Sequence, residues 1–170
     1  MLRRIIGAAR LDIHTYEEVE ADKSANLQAF AVVALASLAG GIGLLNTDAS
    51  SGLGGLLYGF VFAIIGWGVF ALIICIIGTT ILRTPQTDAN WGQLLRTLGF
   101  AQSPALLRVF GIIPIIGPII LLLTSIWQIV TTVVAVRQAL DYNSTRRAIV
   151  VVLIGLIPYV LVMSLLLTLI

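Results

Sequence analysis

The chain has 170 residues, of which 59% are hydrophobic and only 11% charged, and its mean hydropathy is +1.06. Soluble domains carry about 25% charged residues, so this chain cannot cover a water-facing surface and must use the bilayer as its solvent. A net charge of +2 gives no electrostatic footing for nucleic acid.

Residues 1–11 read as an amphipathic helix. Leu2, Ile5, Ile6 and Ala9 share one face, and Arg3, Arg4 and Arg10 can reach anionic lipid headgroups. Basic residues without a long apolar run or a small-residue cleavage site are not expected to act as a secretory signal. Five carboxylates follow before the first apolar run: Asp12, Glu17, Glu18, Glu20 and Asp22. Thr15 and Glu18 have the spacing of a capping box, which predicts a short helix there.

Spanning one hydrocarbon core takes about 20 apolar residues in a helix. The apolar runs predict spans at 27–45, 56–82, 104–116, 118–136 and 148–170. Asn46, Thr47 and Asp48 close the first, and the single cysteine, Cys75, is a small apolar packer within the second. Between the second and third, residues 88–100 place Trp91, Leu94, Leu95 and Leu98 on one helical face, which predicts an interfacial helix capped by Asp88. The apolar stretch from 104 to 136 is too long for one crossing. Pro114, Gly117 and Pro118 supply the break that reverses the chain. The third segment is short for a span.

Charge placement selects the topology. The ten basic residues precede the first segment, lie between the second and third or at the third's start, or lie between the fourth and fifth. Five crossings with a cytoplasmic N-terminus put all of them on the cytoplasmic side, as the positive-inside bias requires. The expected architecture is an all-α polytopic bundle with a cytoplasmic segment, 1–26, and a five-helix transmembrane domain, 27–170.

Three readings attach to the acidic segment. His14, Glu17 and Glu18 have the spacing to hold a metal on one helical face, although a lone histidine argues against it. The carboxylates can pair with Arg108, Arg137, Arg146 or Arg147 and latch the N-terminal region to the bundle. They can also form a solvated acidic turn. Small residues such as Ala36/Gly40, Ser37/Gly41, Ala39/Gly43 and Gly55/Gly59 favour close helix approach. Thr124, Gln128 and Thr131 share a face of the fourth span, as interhelical glue or as the lining of a polar path. No acidic residue falls inside a span, and no catalytic motif is present, so neither an enzyme nor a cofactor is expected.

The segment from Tyr16 to Asp22 with Gln28-Ala29 and a glycine-rich first span resembles the Yip family, five-span proteins named for binding Ypt/Rab GTPases. So do Leu94 to Pro104 leading into Phe110 to Gly117, and Trp127 followed by Ala139-Leu140 and Ser144 to Ala148. The compact loops and the acidic motif are similar to prokaryotic members, which implies the plasma (inner) membrane. The absence of the long N-terminal extension of eukaryotic members argues against Rab binding. The resemblance implies a cytoplasmic N-terminus, five spans and a role in membrane organisation or trafficking. The expected partners are the lipid bilayer, anionic headgroups, a protein at the cytoplasmic face and a further copy of the chain. Tyr16, Glu17, Glu18, Glu20, Asp22, Arg108, Arg146 and Arg147 are the candidate latch or partner surface. The competing expectation is a small transporter or channel subunit with its path near 114–118.

Overall fold

The computed structural model describes residues 1–45 and 52–169, and the regular elements among them are all helical. α1 (Leu2–Ala9) and α2 (Ile13–Ala21) precede the first long helix, α3 (Ala25–Gly43). α4 (Gly52–Ile76) widens into a π-helical turn at Ile77–Ile81. Next come α5 (Trp91–Phe100), a 3-10 helix (Ser103–Ile112), α6 (Gly117–Ala139) and α7 (Thr145–Leu169). The expected stop at Asn46, Thr47 and Asp48 lies outside the described residues.

Among the described residues, four helices are long and apolar enough to cross a membrane: Ala25–Gly43, Gly54–Ile81, Gly117–Ala139 and Thr145–Leu169. Large apolar side chains cover their outer faces, among them Val61 and Leu72 on α4, Leu122 and Ile129 on α6, and Ile157 and Leu161 on α7. Rows of this size are stable only against lipid tails. The inner faces carry small residues, such as Ala29 and Ala36 on α3, Ala71 on α4, Ala135 and Ala139 on α6, and Ala148 on α7. Small side chains let helix backbones approach, which is how helices pack when lipid removes the hydrophobic drive between them.

The third expected span, 104–116, takes a different form. It is a 3-10 helix over Ser103–Ile112 followed by a turn, and it is not among the four helices of spanning length. It nevertheless runs beside α3 for most of that helix's length. Gly99, just before it, abuts Ala29 near the start of α3, and Gly111, at its end, abuts Gly43 at the other. The 3-10 form rises about 2.0 Å per residue against 1.5 Å in an α-helix, so ten residues extend about 20 Å.

The helix expected to lie in the interface is also different. In α5 the side chains of Leu94, Leu98 and Phe100 are buried, and so are Arg96 and Thr97. The helix is packed among α2, α3, α4 and α6 and forms the centre of the apolar core at that end of the bundle. Its cap is Asn90, in a reciprocal box with Gln93, and not Asp88.

The opposite end turns on glycine. A Cβ on Gly43 would run into the Arg108 carbonyl, and one on Gly117 into the Gly111 carbonyl. Backbone therefore meets backbone where α3, the 3-10 helix and α6 converge. Pro114, Gly117 and Pro118 make the expected break, with Pro118 in the first turn of α6 and Ile115 held at φ 73°. Gly59 of the expected Gly55/Gly59 contact faces open space, whereas Gly66 lies against Tyr159 and Met163 of α7.

Candidate functional site

The N-terminal segment folds back on itself and onto the bundle. A left-handed Leu11 (φ 63°) separates α1 from α2, and Asp12 caps α2 by accepting from His14 N at 3.3 Å and Thr15 Oγ1 at 2.7 Å. The expected Thr15–Glu18 box does not form, because Glu18 is taken by α1. Arg3 Nη2 donates to Glu18 Oε2 at 2.7 Å, and Arg4 bridges Glu18 at 2.9 Å and Asp22 at 2.7 Å. Arg4 also donates to Gln28 Oε1 on α3 at 3.3 Å. These contacts hold the Glu18 carboxyl below its ordinary range, chiefly through Arg4. Asp22 is held at about 2 by donation from Ser24 and then by Arg4.

Tyr16, expected on a partner surface, is fully buried, with its hydroxyl donating to Ala8 O at 3.1 Å. Burial drives its phenol above the ordinary range.

The clasp that fixes α2 to the bundle is Arg96 of α5. Its Nε donates to Val19 O at 3.0 Å, its Nη2 to Glu20 O, and its Nη1 to Asn26 Oδ1 at 3.2 Å. Val19 and Glu20 lie in the last turn of α2, where carbonyls lack helical partners. A cation at a helix C-terminus also meets the negative end of the helix dipole. Two further ties help: Gln93 Nε2 donates to Glu20 Oε1 at 3.0 Å, and Trp127 Nε1 of α6 donates to Ala9 O at 2.8 Å. The one sequence signal for Arg96 was a single cation among Leu94, Leu95 and Leu98.

The expected latch partners go elsewhere. Among the described residues no ion pair joins Asp12, Glu17, Glu18, Glu20 or Asp22 to Arg108, Arg137, Arg146 or Arg147. Arg137 donates to Tyr142 O and Thr145 Oγ1, Arg147 stacks 5.8 Å above the Tyr142 ring, and Arg146 is exposed. Tyr142 in turn donates to Leu82 O at 2.9 Å and Gly78 O at 3.2 Å, where the π-helical turn leaves carbonyls free.

Between α2 and the α6–α7 turn lies an open cleft of about 580 Å³, lined by Glu17, Glu20, Gln86, Arg137, Asp141 and Asn143 among others. Burial, together with the Asp141 charge, pushes the Glu20 carboxyl up to about 7, against the pull of Arg96. His14 and Glu17 pair at 3.6 Å while Glu18 turns to the arginines, so the three do not converge. No group of three metal-ligating side chains exists among the described residues.

Arg108 belongs to a second polar cluster, inside the bundle. Its Nη2 donates to Gln128 Oε1 and to Ser125 Oγ at 3.3 Å, and Gln128 Nε2 donates to Gln102 Oε1. Thr124 and Thr131, the other members of the expected polar path, are buried and bonded to backbone. Thr131 donates to Ala101 O at 2.7 Å and Thr124 to Ile120 O at 2.8 Å.

Four apolar helices of spanning length, with a polar clasp at one end, define an integral membrane protein. The sequence profile of the Yip1 domain matches residues 14–166, and the chain belongs to that family, whose members are generally non-enzymatic membrane proteins. No curated protein and no solved structure shows significant similarity to it.

Proposed function

We propose that this protein is a non-enzymatic membrane-organising scaffold that docks a protein partner at a cytoplasmic platform. The observation that carries the proposal is the Arg96 clasp. It holds α2 against α5 and so keeps the outer face of α2 beside the α6–α7 turn. The platform presents both signs of charge. Glu17 stands on one side of the open cleft, with exposed Arg146 and Arg147 at the start of α7. A fixed, mixed-charge surface selects partners by electrostatic complementarity more than by area.

The topology belongs to the same proposal. The chain crosses five times from a cytoplasmic N-terminus, with the 3-10 segment as a thin third crossing. Support comes from its course beside α3 between Gly99 and Gly111, and from the positive-inside bias.

Partner capture from a mild-detergent extract tests the scaffold. Glu17→Ala and Arg146→Ala should each abolish capture while expression stays unchanged. Full capture by both variants removes the platform. An ion flux in reconstituted liposomes that disappears with Gln128→Leu replaces scaffolding by transport.

A further inference from the structure

We infer that α1 is seated in the bilayer itself, lying in the membrane plane beside α6 with Leu2 and Ile6 among the acyl chains. Apolar contact holds it there, with no need for anionic headgroups. Helix geometry gives the orientation. Gly7 and Ala8 face α2: a Cβ on Gly7 would strike the Thr15 side chain, and Ala8 is fully buried, its carbonyl accepting from the Tyr16 hydroxyl at 3.1 Å. At about 3.6 residues per turn, Leu2 and Ile6 project from the opposite side of α1. Among the described residues nothing covers them, and Leu2 is 71% exposed and Ile6 45%. Arg3 and Arg10 stand next to them on the open flank, at the height that headgroups occupy.

The depth follows from the ties of α1. Arg4 donates to Gln28 in the first turn of α3, and Trp127 Nε1 of α6 donates to Ala9 O. Those two anchors lie at nearly the same level, because Gly99 abuts Ala29 while Thr131, one turn after Trp127, donates to Ala101 O. α1 therefore stretches across the bundle rather than along it. Trp127 also lies about 18 Å short of the end of α6 at Ala139. Around it on the outer face of that helix are Leu123, Ile126 and Val130, exposed apolar side chains whose cover is lipid. The bare face of α1 is continuous with that stripe, so the same lipid covers both.

Charge does not explain the seating. Arg3 and Arg4 are paired with Glu18 and Asp22. The first 26 residues carry five carboxylates against four basic side chains, a balance that no anionic surface attracts. Interfacial helices also bind through the apolar area they bury, and α1 offers Leu2 and Ile6 with the half-exposed Trp127 ring nearby. Ile13 is the internal contrast. At the start of α2 it is about as exposed as Ile6, but it lines the open cleft with Glu17, Glu20 and Arg137, where water has access.

The full chain in nanodiscs provides the test, in a Cys75→Ala background with an environment-sensitive fluorophore on Leu2→Cys, Ile6→Cys or Ile13→Cys. All three sites are exposed, so labelling them leaves the packing of the bundle intact. In pure phosphatidylcholine the labels in place of Leu2 and Ile6 should emit to the blue and be quenched by doxyl-labelled acyl chains but not by iodide. The label in place of Ile13 should show the reverse. Adding phosphatidylglycerol, or introducing Arg10→Gln, should change neither pattern. Iodide quenching of the Leu2 and Ile6 labels overturns the inference. So does lipid quenching that appears only with phosphatidylglycerol or is lost with Arg10→Gln, since charge would then hold the helix. Lipid quenching at all three sites overturns it as well, because the fluorophore itself would be choosing the membrane.

Discussion

Arg96 and Arg108 both carry a guanidinium into the packed bundle, and they are used in opposite ways. Arg96 spends all three nitrogens on fixed acceptors, two of them helix-end carbonyls that nothing else satisfies. Arg108 commits a single nitrogen, to neutral side chains that are themselves held by other bonds. The difference teaches that burial alone does not define an arginine's role. A saturated guanidinium is a fastener. One with donors to spare is tied less firmly.

The largest effect should come from breaking the fastener. Arg96→Ala strands the Val19 and Glu20 carbonyls and should cost about 3 kcal/mol, the scale of two charge-assisted hydrogen bonds. Amide exchange over α2 should rise sharply while α3 and α6 stay protected. Equal exposure of every helix would instead make Arg96 a determinant of the whole bundle.

A pH titration sharpens the comparison from the partner side. The Glu20 carboxyl, raised from 4.5 to about 7, binds its proton more tightly in the folded state. Its contribution to stability is therefore full below about 4.5 and is lost as pH rises through 7. Thermal unfolding should shift downward across that window, and Glu20→Gln should flatten the profile. Asp22 has the opposite sign: its contribution is full above its ordinary 3.8 and fades as pH falls toward 2.

Smaller still is the loss expected from Arg4→Ala, about 1 kcal/mol at most, because its pairs with Glu18 and Asp22 lie near solvent. Arg3→Ala should leave the unfolding temperature unchanged, since that side chain is 81% exposed. A larger shift for Arg3 than for Arg4 would mean that the ionic cluster is ordered differently.

Hydropathy made the long helices legible within a few residues, because apolar length is a local property of the chain. The break at Pro114, Gly117 and Pro118 was legible for the same reason. What escaped were choices made by distant partners. The Thr15 and Glu18 spacing fits a capping box, but Arg3 and Arg4 claim Glu18 once α1 folds back, and Asp12 takes over the cap. The α5 pattern reads as amphipathic because Arg96 and Gln93 count as polar. Their acceptors lie on α2, more than 70 positions earlier in the chain. Arg108 seemed close to the basic end by its place in the sequence. A ten-residue 3-10 helix carries its backbone beside Gly43 instead.

The tie between Trp127 and Ala9 joins residues 118 positions apart. Synthesis delivers α1 and α2 first, but their anchors on α5 and α6 emerge only after most of the chain has been made. The earliest segment is thus seated last. Until then Tyr16 and Val19, which the finished fold buries, need an interim shelter, a role that an adjacent lipid surface can fill.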